Sequence, residues 1–367
     1  MKSCSHQRFW LVMGVSLLVS NNLAFASDGN TTDLYPVNFV ASPSQTTAIS
    51  GTQGQTKDNQ NTQNDSQATQ NQDLAELQIT AGYDLSPSSS VNGGPGYSIG
   101  STLYSSRIQQ NWRLFAGENF SYESEPNNEA NVNLSRTMAG VEYQNASILA
   151  SAAPTYNNYN GNQRVGAMGS LTWTIDDQWS LGGSSQLFSS DIPLRALDFG
   201  ITANSYEANA TWHQGEQRSL RVDSEVMTFS DDNIRTSLTG DYTERLYAVD
   251  SFTIDGLIKT AASQNTKNDN NFYYDPSVDF FGLVGARITQ PLYQQSNINY
   301  EHSLEITPGG YWQKDYGGSP AVNVRYEQRV TYNKTFEAGL GIDLSRQSYD
   351  GSPENDVAFL FDLTERF

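Results

Sequence analysis

From Asp73 to Phe367, apolar and polar side chains alternate one for one in segments of about ten residues, separated by Gly, Asn, Asp and Pro clusters. A period of two is the period of a β-strand, so each segment carries one apolar and one polar face. The last segment is the cleanest. Val357, Phe359, Phe361, Leu363 and Phe367 share one face, and Ala358, Leu360, Asp362, Thr364 and Arg366 share the other. Glu365 interrupts the apolar row near its end, where a membrane interface tolerates a charge. Leu220, Val222 and Val226 alternate in the same way with Arg221, Asp223 and Glu225, and Leu340, Ile342 and Leu344 with Gly339, Gly341 and Asp343. A chain made almost entirely of such segments folds as a soluble all-β repeat protein or as a transmembrane barrel.

The links between segments separate these two. Strands are expected to begin near residues 74, 96, 111, 132, 145, 165, 178, 204, 218, 234, 251, 277, 297, 321, 335 and 356. That makes about sixteen, within bounds of fourteen to eighteen, and even as in bacterial barrels. After odd strands come links read as long: 86–95, 123–131, 154–163, 189–203, 230–233, 264–276, 314–320 and 347–355. After even strands come tight ones such as 176–177, 214–217 and 333–334. Long loops outside and short turns in the periplasm are the barrel pattern, and they place both termini in the periplasm. No fixed-period repeat of a propeller or solenoid is present. Aromatic residues near strand ends, among them Trp112, Trp173, Trp179, Trp212, Tyr326, Tyr332 and Phe367, suit interfacial girdles. The fold expected is therefore an all-β, antiparallel transmembrane barrel over residues 73–367.

The residues before it have a different texture. Lys2 and Arg8 bracket the entry to an apolar run at 9–19, and Ala24-Phe25-Ala26 offers a cleavage site, so residues 1–26 are expected to be a signal peptide. The run is shorter than the roughly 20 residues of a spanning helix. Cys4, the one cysteine, would leave with the peptide, and no disulfide is expected. Residues 27–72, rich in Ser, Thr, Gln, Asn and Asp, cannot bury a core and are expected to form a disordered periplasmic tail. Hydrophobic residues make up 37% of the chain and the mean hydropathy is -0.55, values that resemble a soluble protein. A barrel gives the same average, because only alternate residues meet lipid. The net charge of -19 excludes nucleic acid as a natural partner. The expected location is the outer membrane of a Gram-negative bacterium.

With the apolar rows turned to lipid, the lumen receives Glu207, Asp223, Glu225, Asp241, Glu301, Glu305, Glu327, Glu337 and Asp343, together with Glu76, Asp255 and Asp362. The same faces carry Arg113, Arg221, Arg245, Lys259, Arg325, Arg329 and Arg366. These charges either form salt-bridge ladders that stiffen the wall or line a pathway whose acidic excess attracts cations. The segment Asp191-Ile192-Pro193-Leu194-Arg195-Ala196-Leu197-Asp198 is partly apolar for a loop, which marks it as a candidate constriction, with Arg195 reaching the pathway. His213 and His302 lie on different strands with no cysteine or second histidine at ligand spacing, so neither metal nor cofactor is expected. Nothing selects a serine partner for His302, and no catalytic residue is assigned. Three functions remain to be compared: export channel, general or sugar-selective uptake porin, and lipid hydrolase.

A set of short motifs in fixed order narrows the choice. Pro193-Leu194-Arg195-Ala196, Gly200-Ile201-Thr202-Ala203 and Tyr206 are followed by Phe229-Ser230-Asp231-Asp232-Asn233, Tyr274-Asp275-Pro276, Tyr311-Trp312-Gln313, Tyr349-Asp350-Gly351 and Arg366-Phe367. In these, residues 190–367 resemble the C-terminal barrel domain of the poly-β-1,6-N-acetyl-D-glucosamine export porins. The resemblance implies export of a β-linked amino-sugar biofilm polymer through an acidic lumen. It also implies lipid and lipopolysaccharide around the barrel, and insertion by the barrel-assembly machinery through the strand ending in Phe367. That family carries a tetratricopeptide-repeat region ahead of its barrel, whereas residues 27–72 are too short and polar for one. A separate periplasmic scaffold or deacetylase is the corresponding expectation.

Overall fold

A computed structural model of the protein describes residues 74–84, 96–124, 131–189, 191–192, 194–267, 275–349 and 351–367. The expected signal peptide and tail lie outside these residues, as do the middles of the links at 86–95, 123–131 and 264–276. The strands are β1 (Glu76–Asp84), β2 (Gly96–Tyr104), β3 (Trp112–Ser124), β4 (Asn131–Gln144), β5 (Ile148–Tyr159), β6 (Asn162–Thr174), β7 (Trp179–Leu187) and β8 (Ala203–Gln214). They continue as β9 (Arg218–Phe229), β10 (Ile234–Val249), β11 (Phe252–Asn265), β12 (Val278–Gln295), β13 (Ile298–Gln313), β14 (Gly317–Tyr332), β15 (Phe336–Tyr349) and β16 (Ser352–Arg366). Each pairs antiparallel with its neighbours in the chain, and β1 pairs with β16 to close the barrel. Closure is what a bilayer demands of a sheet, since lipid cannot satisfy an open strand edge.

All sixteen strands begin within four residues of the expected positions. Their upper ends are less regular. The segment read as a loop at 154–163 is instead a strand pair: Tyr159 faces Asn162, and the turn is Asn160-Gly161 with φ of 45° and 83°. Positive φ at both central residues is the two-residue hairpin geometry that Asn-Gly favours. The loops read at 314–320 and 347–355 are likewise strand down to links at 314–316 and 350–351, with Gln313 opposite Gly317 and Tyr349 opposite Ser352. Link length therefore alternates less cleanly than expected, because 105–111 after β2 is longer than 160–161 after β5.

Outside the upper half of β4, the faces are as the alternation requires. Leu103, Leu114, Val222, Val284, Leu304 and Leu340 are among the exposed apolar side chains of the outer surface. Trp112, Trp173 and Trp179, each between 43% and 49% exposed, and the half-buried Trp212 stand at the strand ends next to the links that follow even strands. Trp179 is paired with Trp212, and the Trp112 ring lies 4.9 Å from that of Tyr143. This row is an aromatic girdle. His302 belongs to the outer face as well, where its ring nitrogens bond the Tyr326 hydroxyl at 3.2 Å and Gln290 Oε1 at 3.1 Å. Extra residues at Leu246 and Leu292 shift the register between Arg245 and Tyr247 and between Pro291 and Tyr293.

Candidate functional site

Because paired residues in a sheet share a face, one inward residue fixes the face of every other through the register. Glu76 opposite Arg366, Asp241 opposite Arg221 and Lys259, Asp255 opposite Arg245 and Arg287, and Glu305 opposite Arg325 trace that face around the wall. All the carboxylates and cations assigned to the lumen from the sequence lie on it.

Their partners divide them. Glu305 is held between Lys259 and Arg287, the latter at 2.7 Å, and is only 2% exposed. Glu327 meets Arg329 at 2.7 Å and Arg325 at 3.2 Å, and Arg329 also reaches Glu337 at 2.5 Å and Asp362 at 3.2 Å. Arg221 binds Asp223 at 2.5 Å and Glu207 at 3.6 Å. Arg245 with Asp255 and Arg366 with Glu76 complete ladders that offset much of the cost of placing charge on a confined wall.

Among the described residues, Glu225, Asp241, Glu301 and Asp343 take no part in such pairs. Asp241 is the clearest case. Both cations opposite it in the register, Arg221 and Lys259, are drawn to other carboxylates. Glu301 accepts only from Asn299 Nδ2 at 3.3 Å, its cross-strand Arg329 being engaged elsewhere. Asp343 accepts from Asn323, and Glu225 from Ser237 at 3.4 Å. Carboxylates outside the salt-bridge ladders are left to meet whatever passes. Near Glu207 the wall is of hydroxyls and amides instead: Ser151 bonds Ser170 at 2.8 Å and Ser184 donates to Glu207 at 3.1 Å. A lumen of this kind can hold cations and hydroxylated chains by hydrogen bonds. Among the described residues no group of His, Cys, Asp and Glu is arranged to hold a metal.

The link 188–202 folds into this lumen. It leaves β7, forms a short helix α1 (Leu194–Asp198), and returns to β8, yet α1 touches β3 and β4, so the link passes across the inner faces of β5 and β6. Ile192, Ala196, Leu197 and Ile201 bury themselves against the inward Val132, Leu134, Tyr159, Ala203, Met227 and Phe229, with Leu194 packed at the edge. Gly200, at φ 75°, ends the helix, and the Ile201 amide donates to the Ala196 carbonyl at 2.9 Å. Asp198 accepts from Asn160 Nδ2 at 3.0 Å, and Asp191 from Gln186 Nε2 at 3.0 Å and from the Ser189 hydroxyl at 3.2 Å. Pro193 and the side chain of Arg195 lie outside the described residues.

The anchor of the link was not among the expected residues. Arg136, on β4 and 6% exposed, donates to Asn157 Oδ1 and Gln186 Oε1, both at 2.7 Å, and to the Phe188 carbonyl at 2.5 Å. On the upper half of β4 the apolar side chains Val132 and Leu134 point inward, to meet α1, and Asn133 and Ser135 point outward. A rule that sends apolar residues to lipid therefore aims Arg136 the wrong way. Glu142, which receives Arg113 at 2.5 Å and is 2% exposed, was missed on the same strand.

Comparison with known proteins agrees with this architecture. The family described as the PgaA membrane beta barrel domain matches residues 71–367. The poly-beta-1,6-N-acetyl-D-glucosamine export proteins of Escherichia coli K12 and O157:H7 are each 29% identical over 294 residues, which is 80% of this chain and 36% of theirs. The chain thus spans about a third of the length of these relatives. A solved barrel described as a bacterial polysaccharide outer membrane secretin superposes with a TM-score of 0.73 at 28% identity, covering 81% of this chain and 99% of that one. The sixteen-stranded closed barrel and the extent of the match together show that this chain belongs to the PgaA membrane β-barrel family of the Gram-negative outer membrane.

Proposed function

We propose that the barrel exports a poly-β-1,6-N-acetyl-D-glucosamine-like polymer, and that Glu225, Asp241, Glu301 and Asp343 are the wall positions its amines and hydroxyls meet. The observation that carries this reading is Asp241, a luminal carboxylate whose two facing cations are both engaged by other acids. Deacetylated units of such a polymer are cationic, and N-acetylated ones offer hydrogen-bonding groups suited to the hydroxyl and amide wall near Ser170 and Ser184. Acidic groups behind low-dielectric walls raise the local concentration of cations through potentials of several kT. In this reading the links after odd strands are outside, both termini are periplasmic, and the 188–202 link narrows the exit. Its partners are the polymer, surrounding lipid and lipopolysaccharide, the assembly machinery, and a separate periplasmic scaffold or deacetylase.

The test is the reversal potential across a salt gradient, together with surface polymer in a deletion strain complemented by each variant. Neutralising Glu225, Asp241, Glu301 and Asp343 to Gln or Asn is expected to lower cation selectivity and slow secretion, with a folded barrel. Asp223→Asn, which strips a partner from Arg221, is expected to act on the wall more than on selectivity. Unchanged selectivity in the fourfold variant refutes the assignment of these acids. Altered selectivity with normal surface polymer favours a diffusion porin over an exporter.

A further inference from the structure

The outer surface carries a depression that a lumen for polymer does not explain. A groove of about 570 Å³ lies where β12, β13 and β14 approach the rim that bears the link 314–316. Phe280 and Trp312 wall it, 47% and 43% exposed, and the backbone at Gly282, Gly310 and Gly318 floors it. The register puts all five on the outward face, with Phe280 and Gly318 both opposite Trp312, and Gly282 opposite Gly310.

Glycine weakens a strand, so three on one face of adjacent strands require a cause. Backbone conformation does not supply it, because none of the three has a left-handed φ. Close packing does not either: a Cβ at Gly282, Gly310 or Gly318 would come no nearer than 3.4, 3.4 and 3.9 Å to another atom, which is ordinary contact. The inward Gly285 and Gly309 differ, since a Cβ there would fall 1.9 and 2.0 Å from a carbonyl oxygen of the neighbouring strand. The outward glycines are thus free of both constraints, and what they do is keep the slot open. A strand glycine of this kind marks the close approach of a ligand.

The ligand's chemistry follows from the surroundings. Val284 and Ile306 continue the same outer face and are exposed to lipid, so the slot opens to acyl chains. Arg346 stands one strand beyond, paired with Val322 next to Pro320, exposed, and with one modest bond to Asn355 Oδ1 at 3.3 Å. A guanidinium is the side chain best shaped for a phosphate. The volume falls within the roughly 300–1,000 Å³ of small-molecule sites. We propose that this groove seats one acyl chain of a phosphorylated glucosamine glycolipid, the lipid A type, with Arg346 on its phosphate. Placing it in the outer leaflet rests on the orientation given under the proposed function; the binding itself does not.

The probe is diphosphorylated lipid A with brominated acyl chains, doped into phosphatidylethanolamine nanodiscs that hold the folded barrel. Brominated phosphatidylglycerol at equal mole fraction is the comparison. Quenching due to Trp312, taken as the difference between the native protein and Trp312→Phe, is expected to be several-fold stronger for lipid A. Gly310→Leu should fill the slot and abolish that preference while the heat-modifiable folded band persists, and Arg346→Gln should reduce it. Equal quenching by both lipids, stronger quenching by phosphatidylglycerol, or a preference that survives Gly310→Leu overturns the proposal. Nanodiscs expose both rims to lipid, so a reversed barrel in cells would appear in surface labelling and leave this outcome untouched.

Discussion

Leu197→Ala should open the channel without unfolding the barrel. Leu197 is 1% exposed, at the centre of the apolar cluster that docks the 188–202 link against β4, β5 and β9. Truncating a leucine in such a site costs about 2–5 kcal/mol, through lost burial and the cavity left behind. The cost falls on docking, because the strand ladders do not run through α1. At about 1.4 kcal/mol per factor of ten, the undocked population rises roughly 30- to 4,000-fold. Arg136 still holds the base of the link at Phe188, so the movement is confined to the residues around α1. In planar bilayers the variant should show longer open times and a higher mean conductance than the native channel. By hydrogen exchange, the amides of Gly200 and Ile201, bonded to the Leu197 and Ala196 carbonyls, should lose protection by a similar factor. Native conductance together with native protection would refute the reasoning that this cluster keeps the lumen narrow. A matching fall in the barrel's own melting temperature would show that docking belongs to the global fold.

Three other outcomes are expected. Glu305→Gln should lower the temperature at which the folded band converts on gels, since losing one partner of a buried pair costs about 3–5 kcal/mol. The loss should be smaller here because Lys259 and Arg287 remain 30% and 38% exposed; an unchanged conversion temperature would mean that the triad adds nothing to the wall. Tags at Gly161, Asn268 or Gly351 should be accessible on intact cells and tags at Gly215 or Asn333 only after permeabilisation, and the reverse pattern would invert the proposed topology. Deleting residues 30–70 should leave the heat-modifiable band in place, and its disappearance would show that the segment takes part in folding.

What the sequence reveals here follows from the period of two. A face assignment survives errors in where a strand ends, so every acid assigned inward from the alternation shares one face in the register, although the loops expected at 154–163 and 347–355 are largely strand. Those loops misled because the strands run on where both faces are polar, as at Asn157-Asn158, and there alternation carries no hydrophobic contrast. Some ion pairs were legible too: Arg221 with Asp223, and Arg325 and Arg329 on either side of Glu327, are two residues apart on one face. The pair Lys259 and Glu305 was not, since it joins β11 to β13 across an intervening strand. Inward folding of 191–198 was foreshadowed by apolar residues in a loop. Its anchor at Arg136 was hidden by the very cluster that the loop brings with it, which reverses the faces of β4.

The link that crosses the lumen also has a history during assembly. It emerges between β7 and β8, but its apolar seat is built from β4, β5, β8 and β9, so the seat is incomplete until the strands on both sides, from Val132 on β4 to Phe229 on β9, are in place. A barrel formed strand by strand must carry Ile192 and Leu197 uncovered over that interval, and contacts of such long sequence separation form late. Exposed apolar side chains on partly folded chains invite aggregation. Interruption of assembly while β4 or β9 is still missing should therefore yield the species most dependent on periplasmic chaperones, and addition of the missing strand should end the dependence.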